Sequence, residues 1–276
     1  MSKIEWTDRT WNPIIGCSKI SPGCDNCYAE KMAGRLASMG TQGYSRVIQS
    51  VRGQGHSAWN NKTSLVESAL DKPMYWKKPR RIFVCSMGDI FHESVDVDWL
   101  RSMFRVIRAT PQHIYQFLTK RPENAWSMLN LCCAKPPANV WLGVTCENQA
   151  TANERIPRLL KCPAAVRFVS VEPMLGPVDL THIPYSSLGA THKMDALRGY
   201  GGWGDYDRRK HKIHLCIVGG ESGPQARPMH PDWARDLRDQ CQDAGVPFFM
   251  KQMSGRTKAE RQNIPTDLMI REFPKA

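Results

Sequence analysis

The sequence lacks any long apolar run. No stretch of about 18 consecutive apolar residues occurs, which excludes a transmembrane helix. The N-terminal segment has no apolar core of the signal-peptide kind and carries acidic residues early, at Glu5 and Asp8. We therefore expect a protein that stays in the cytoplasm and does not associate with a membrane.

Cysteine is too scarce for a disulfide-stabilised scaffold. The chain has 10 cysteines among 276 residues, well below the roughly 8–10% of such scaffolds, and a chain this long can bury a core without cross-links. In a reducing compartment, clustered cysteines are typical of metal sites and scattered ones of core positions. The sequence also has no internal repeat, and its 41% hydrophobic and 23% charged residues argue against disorder.

Positive charge is in excess. Lys and Arg number 38 against 26 Asp and Glu, a formal net charge of +12, which favours a polyanionic partner such as nucleic acid or a phosphorylated metabolite. Basic runs follow aromatic residues at 75–81 and 203–212, a composition that suits phosphate contacts combined with base stacking. A solvated loop that only keeps the protein soluble is the alternative.

Six short runs rich in β-branched and aromatic residues predict buried parallel strands. They occupy residues 81–86, 113–119, 140–145, 166–171, 214–218 and 246–250. Segments with helical periodicity separate them, most clearly at 98–107 and 231–241, with others at 123–131 and ending at 155–160.

This alternation predicts one α/β domain over residues 1–276, built as a partial or full parallel (β/α) barrel. Two segments, 41–80 and 181–212, are rich in glycine and basic residues. We expect both to be irregular insertions into the barrel.

Polar residues follow each predicted strand. Because the carboxyl ends of parallel strands meet at one edge of a sheet, these side chains are expected to line a concave site. They are Asp89, Lys120, Glu147, Glu172, Glu221 and Lys251. Each one, taken alone, is also compatible with an ordinary turn at the end of a strand.

The strongest local signal is a loop with three cysteines, Cys17, Cys24 and Cys27, in the spacing C-x6-C-x2-C. Thiolates are soft ligands that suit iron–sulfur clusters or zinc. A closed structural zinc site needs four ligands, and no second C-x-x-C pair follows, since Cys132 and Cys133 are adjacent. Three ligands predict a centre with an open coordination position, and three thiols without a metal are the alternative.

This loop resembles the cluster loop of radical S-adenosylmethionine enzymes, whose usual spacing is C-x3-C-x2-C. The longer spacing is similar to that of a phage- and prophage-associated family of uncharacterised proteins. The resemblance covers nearly the whole chain apart from the two irregular segments. It rests on the N-terminal loop at 11–30 and on motifs at 86–91, 118–123, 140–143, 167–173, 217–223 and 248–252.

The resemblance implies a barrel of the radical S-adenosylmethionine type. In it, Cys17, Cys24 and Cys27 would hold three irons of a [4Fe–4S] cluster, and the fourth iron would bind S-adenosylmethionine. An electron from the cluster would cleave the cofactor to a 5′-deoxyadenosyl radical that abstracts a hydrogen atom from the substrate. An electron donor is implied as a partner.

The resemblance also implies roles for single residues. The superfamily has a Gly-Gly-Glu turn that binds the amino group of the cofactor, and the corresponding segment here ends at Asp89. Gly219-Gly-Glu221 has the same letters but follows a late strand. Together with the residues at the strand ends, the predicted cofactor-binding residues are Tyr28, Ser86, Gly88, Asp89, Glu147, Glu172 and Glu221, and the catalytic candidates are Lys120, Glu172 and Lys251.

The sequence thus predicts an iron–sulfur radical enzyme that acts on DNA, RNA or a nucleotide, in base modification or repair. Two alternatives stay open. One is a non-catalytic nucleic-acid-binding protein in which a cluster braces the N-terminal loop. The other is a zinc-stabilised binding module whose fourth ligand comes from elsewhere in the chain.

Overall fold

A computed structural model describes residues 4–51, 57–133, 136–187, 190–199 and 211–275. The chain divides into two compact units, Met1–Trp141 with Pro163–Ala165 and Leu142–Cys162 with Val166–Ala276. Both units contain strands and helices, so the chain is of the mixed α/β class. The single domain expected over 1–276 stays a prediction.

The first unit contains a parallel sheet. In chain order its elements are β1 (Arg9–Trp11), β2 (Ile14–Ile15), α1 (Tyr28–Ser38), β3 (Ile48–Ser50), β4 (Ser57–Trp59), β5 (Ser64–Leu65), β6 (Arg81–Val84), α2 (Val97–Ala109), β7 (Ile114–Thr119) and α3 (Pro122–Cys132). Strand β6 lies between β1 and β7 and is parallel to both. Val84 of β6 lies opposite Trp11 on one side and Phe117 on the other. Two antiparallel pairs, β2 with β5 and β3 with β4, stand apart from this sheet.

Helix α2 shows how the sequence forms the first unit. Asp96 caps its N-terminus by accepting a hydrogen bond from the amide of Asp98. Leu100, Phe104 and Ile107 repeat on one helical face and are fully buried. The Phe104 ring meets Phe117 of β7 edge to face, with centroids 5.9 Å apart, so this apolar face fixes the helix against the strand.

The second unit has the same alternation. Its elements are β8 (Val140–Thr145, which begins at the division between the units), α4 (Gln149–Lys161), β9 (Val166–Val171), β10 (Ile183–Ser187), β11 (Ala190–Met194), β12 (Leu215–Gly219), α5 (Pro231–Asp243), β13 (Phe248–Gln252) and α6 (Lys258–Gln262). Strand β12 is parallel to β9 and β13 and lies between them. Gly143 of β8 is required by close packing, because a Cβ there would lie 2.5 Å from the Phe168 ring.

All six strands predicted from the apolar runs are confirmed, with ends shifted by two residues or fewer, as are the four predicted helices. None of the described helices combines the length and the apolar composition of a membrane span.

The prediction of irregular insertions was wrong in part. The segment 41–80 contains β3, β4 and β5, with one 3-10 turn before β3 and two after β5, and 181–212 contains the antiparallel β10–β11 hairpin. Strands β3, β4 and β5 have two or three residues, too few for a hydrophobic period to show. Strands β10 and β11 have five residues each but lack the apolar run that marks the buried strands. Residues 200–210, which hold most of the second basic–aromatic segment, lie outside the described residues.

Candidate functional site

The three-cysteine loop of the first unit begins where two backbone segments touch. The amide of Gly16 donates to the carbonyl of Met87 at 3.0 Å, and the amide of Asp89 donates to the carbonyl of Gly16 at 3.3 Å. A Cβ on Gly88 would lie 2.6 Å from that Gly16 oxygen, and Gly16 itself has a φ of +96°. Both positions therefore require glycine, and Cys17 is held beside the turn that follows β6.

The start of helix α1 places the other two cysteines. A 3-10 turn over Pro22–Cys24 is closed by the amide of Cys24, which donates to the carbonyl of Ser21 at 2.8 Å. Cys27 is the N-cap residue of α1, and its amide donates to the carbonyl of Cys24 at 3.3 Å. Cys17 and Cys27 both pack against one apolar cluster of the first unit. Local turns and a shared apolar support thus bring the three thiols into one region.

These thiols are close enough to act on one another electrostatically. Burial is the main cause that raises the pKa of Cys17 to about 12, and the charges of Asp89, Cys27 and Cys24 add to it. Burial also raises the pKa of Cys27, although hydrogen bonds from the amides of Glu30 and Ala29 favour its thiolate form. Each of these two thiols is therefore held in its neutral form unless a cation offsets the cost of the buried thiolate.

The chemistry of the three donors fits a metal centre. Among the described residues, no group of three or more His, Cys, Asp and Glu is arranged to hold a metal ion. Three soft thiols on one loop suit an iron–sulfur cluster or zinc, so the assignment of Cys17, Cys24 and Cys27 as ligands stays a prediction that their placement favours.

A buried arginine connects the cysteine loop to the ends of β6 and β7. Arg121 is 5% exposed, and its Nη1 donates to Cys17 Sγ at 3.9 Å and to Asp89 Oδ2 at 3.2 Å. Its Nη2 donates to the hydroxyl and the carbonyl of Ser18 at 2.6 and 3.3 Å, and its Nε donates to Glu93 at 2.8 Å. One positive charge therefore stands beside a predicted metal ligand.

Asp89 has all its acceptor positions occupied by protein donors. Its carboxylate accepts from the amide of Phe91 at 3.0 Å, the hydroxyl of Thr119 at 2.8 Å, the amide of Lys120 at 3.2 Å and Arg121. A carboxylate offers about four acceptor positions, so a cofactor amino group would have to replace one of these donors. The predicted contact of Asp89 with the cofactor stays a prediction, and its role in ordering Arg121 is evident.

His92 is a hydrogen-bond donor in this network. The amide of Ser94 donates to His92 Nδ1 at 3.1 Å, and burial together with the charge of Arg121 lowers the pKa of His92. The neutral ring therefore carries its proton on Nε2, which donates to the Ser18 hydroxyl at 2.9 Å. His92 cannot serve as a base toward that hydroxyl in this tautomer, which argues against a Ser–His hydrolase pair.

The remaining predicted residues of the first unit lie around the same loop. The hydroxyl of Tyr28, at the start of α1, donates to the carbonyl of Ser86 at 2.8 Å. The Ser86 hydroxyl donates to Asn12 Oδ1 at 3.1 Å. Tyr28, Ser86, Gly88 and Asp89 are thus brought together with the cysteine loop, as expected for residues of one site.

In the second unit, two predicted residues contact each other. Lys251, on β13, forms an ion pair with Glu172, directly after β9. Glu221 follows β12 and accepts from the amide and the Nε of Arg227, both at 2.9 Å. Two catalytic candidates therefore form a pair, and Glu221 orders the chain after its own strand.

Glu147 lies between β8 and α4 and is bound by an arginine of that helix. The side chain is fully buried and accepts from Arg155 Nη1 at 3.0 Å, while the same nitrogen donates to the carbonyl of Thr145 at 2.8 Å. This pair fastens α4 to the end of β8. Its contact with a cofactor stays a prediction.

Sequence reasoning did not identify Ser18, His92 or Arg121. Lys120 and Arg121 follow each other at the end of a predicted strand. The sequence does not show which of two adjacent cations is buried, and the prediction named Lys120. A basic residue directly before the proline that starts α3 was the available signal, since Pro122 is the first residue of that helix.

The sequence matches the model of a family described as "Protein of unknown function (DUF5131)" over residues 1–273. The chain therefore belongs to that family. No curated protein and no solved structure matches it.

Replacement of Arg121 by Met should lower the free energy of unfolding by about 3–5 kcal/mol, because it leaves the Asp89 carboxylate buried without its counter-charge. The double variant Arg121→Met, Asp89→Asn should lose less, since no buried charge is left unpaired. Urea unfolding of the wild type, Arg121→Met, Asp89→Asn and the double variant measures the coupling. Arg105→Met, at an exposed position of α2, is the matched control, and a double variant with the full sum of both losses would contradict the account.

Proposed function

We propose that this member of the DUF5131 family is an iron–sulfur enzyme of the radical S-adenosylmethionine type. Cys17, Cys24 and Cys27 would hold three irons of a [4Fe–4S] cluster and leave the fourth iron for S-adenosylmethionine. When bound, such a cluster supplies the electron that cleaves the cofactor to a 5′-deoxyadenosyl radical. The observation that carries the proposal is the position of three soft donors on one loop beside the buried charge of Arg121.

A partial (β/α) barrel of the radical S-adenosylmethionine type belongs to the same proposal. In the first unit, β6 is followed by α2 and β7 by α3; in the second, β8 is followed by α4 and β12 by α5. Parallel strands with a helix after each are the units from which such barrels are built.

Arg121 favours the thiolate form that a metal requires. Its Nη1 already donates to Cys17 Sγ, and a nearby cation that donates a hydrogen bond stabilises a buried thiolate. Asp89, Ser18 and Glu93 keep the guanidinium in this position. We assign Arg121 the role of a positioning and charge-balancing residue for Cys17.

Four residues near the loop, Tyr28, Ser86, Gly88 and Asp89, are proposed to contact the cofactor. In the second unit, the Glu172–Lys251 pair is the candidate for proton transfer, because a carboxylate and an ammonium in contact can exchange a proton with a substrate atom. Lys120 is a further catalytic candidate, and Glu147 and Glu221 stay candidates for cofactor contact. The electron donor is a separate partner.

A nucleic-acid substrate is supported by a surface of the first unit, the basic–aromatic surface, formed by Lys72, Tyr75, Lys77 and Lys78. All four side chains are exposed, and Tyr75 is 79% exposed. An aromatic ring open to solvent among three cations suits a base that stacks and phosphates that pair with the lysines. Because only an unpaired base offers its face to such a ring, we propose a single-stranded segment as the substrate form.

The neighbouring residues hold this surface in place. Trp76 meets His113 edge to face at 6.2 Å, and the guanidinium of Arg9 lies 5.8 Å from the centre of the Trp76 ring. Pro73 is buried, and its carbonyl is 3.2 Å from His113 Nε2. The backbone is thus anchored on both sides of Tyr75, which reduces the entropy lost when a base stacks on it.

The same surface favours a second candidate, a nucleic-acid-binding protein in which a cluster or a zinc ion only stabilises the N-terminal loop. The two candidates share the basic–aromatic surface and the three cysteines. They differ in whether S-adenosylmethionine is cleaved.

Anaerobically reconstituted and reduced protein should convert S-adenosylmethionine to 5′-deoxyadenosine, measured by chromatography with and without single-stranded DNA. Cys24→Ala should lose both iron and product, because it removes one ligand. Cys162→Ala is the control, a buried cysteine of the second unit whose thiol donates to the Arg158 carbonyl, and it should keep both.

The other outcomes of this experiment distinguish the alternative functions. A cluster without product would support the non-catalytic protein, and one zinc without iron would support the zinc module. Full iron content in Cys24→Ala would show that the ligand assignment is wrong.

Tyr75→Ala should weaken binding of a single-stranded oligonucleotide by roughly 5- to 100-fold, since stacking on one aromatic ring contributes about 1–3 kcal/mol. Tyr75→Phe should bind like the wild type because the ring is kept. The double variant Lys77→Gln, Lys78→Gln should reduce the slope of log affinity against log salt by about 1.4. Fluorescence anisotropy over a salt series measures the affinity of the Tyr75 variants and the salt dependence of the lysine variant. Lys258→Gln, exposed on α6, is the control, and unchanged affinity in Tyr75→Ala would remove this surface from the proposal.

A further inference from the structure

A second pair of thiols lies at the end of helix α3, in the first unit. The Sγ atoms of Cys132 and Cys133 are 3.9 Å apart. Cys132 is half-buried, and Cys133 is 5% exposed. Neither thiol has a part in the proposed radical chemistry, so their close approach needs a separate explanation.

The local backbone sets the distance between the two sulfurs. Adjacent side chains within a helix point about 100° apart around its axis, but α3 ends at Cys132, and Cys133 is extended with φ −157° and ψ 120°. The amide of Cys133 is tied to the carbonyl of Leu129 at 2.8 Å. The change from helical to extended backbone therefore turns the two thiols toward each other, and a hydrogen bond fixes the turn.

A disulfide bond does not suit this pair. Neighbouring Cα atoms are about 3.8 Å apart, which is below the usual range of about 4.4–6.8 Å for disulfide-linked residues. A single soft cation suits it better. With metal–sulfur bonds of about 2.3 Å, sulfurs 3.9 Å apart make an angle of about 116° at the metal, close to trigonal coordination.

We propose that Cys132 and Cys133 form a two-thiolate site for a soft monovalent cation of the Cu⁺ class. Thiolates suit Cu⁺ as well as zinc and iron–sulfur clusters, and only two sulfurs at a near-trigonal angle favour Cu⁺ over zinc, whose closed sites need four ligands. Binding forms two copper–sulfur bonds and releases both thiol protons to solvent, so the centre carries a net charge of −1. Among the described residues no third His, Cys, Asp or Glu completes the group, so a third ligand would be an external thiol.

A cation stands near the pair. The positive charge of Arg108 acts on both thiols, and its guanidinium lies 5.9 Å from the centre of the Phe104 ring on α2. Because burial disfavours thiolates, the bound metal and Arg108 together would supply the positive charge that an anionic two-thiolate centre requires.

Anaerobic titration of Cu⁺ against a chromophoric Cu⁺ chelator tests the site. The wild-type chain should retain one more Cu⁺ than Cys132→Ser or Cys133→Ser, because each variant lacks one of the two thiolates. Cys17, Cys24 and Cys27 are intact in all three proteins, so any copper they bind cancels in the difference. Cys162→Ser is the matched control and should retain the wild-type number.

A measurement on the wild type alone avoids any effect of the substitutions on folding. Cu⁺ should protect Cys132 and Cys133 together from alkylation by iodoacetamide, with the protected peptide identified by mass spectrometry. Equal copper retention in the wild type and both variants, or alkylation of both residues at an unchanged rate in the presence of Cu⁺, would overturn the proposal. Neither result bears on the cleavage of S-adenosylmethionine.

Discussion

The position of the cysteine loop depends on the buried guanidinium of Arg121. It joins three pieces of chain that are distant in sequence: the loop at Cys17 and Ser18, the turn at Asp89 and Glu93, and the end of β7. A buried cation is stable only where acceptors surround it. Because each of the three segments contributes to the environment of Arg121, a shift of one segment would destabilise the contacts of the other two. The glycine contact between Gly16 and Gly88 allows the backbones to approach closely enough.

The Arg121 network explains how the buried thiols of Cys17 and Cys27 could bind a metal as thiolates. Burial opposes ionisation of Cys17 and Cys27, and Arg121 is the nearby group that offsets this cost for Cys17. Asp89, whose carboxylate accepts from four donors, opposes the ionisation of Cys17 and keeps Arg121 in place. A bound metal would supply the remaining positive charge that the buried thiolates require, which is the physical basis of the proposed iron–sulfur function.

The sequence was sufficient for the main strands and helices because runs such as Val140–Thr145 and the buried face of α2 carry strong periodic signals. The short strand β1 was missed, since three residues give no period, and it is placed by pairing with β6. The cysteine spacing could be read directly. Arg121 could not be distinguished from Lys120, because which of two adjacent cations is buried depends on tertiary contacts that close over a long sequence separation.

The central claim is that Cys17, Cys24 and Cys27 close on one iron–sulfur cluster. Anomalous X-ray scattering at the iron edge, from crystals grown without oxygen, tests it most directly. The account predicts an iron peak bounded by the three Sγ atoms, with one iron that has no cysteine ligand. Sulfurs that stay apart with no iron between them, or a single peak at the zinc edge, would contradict it.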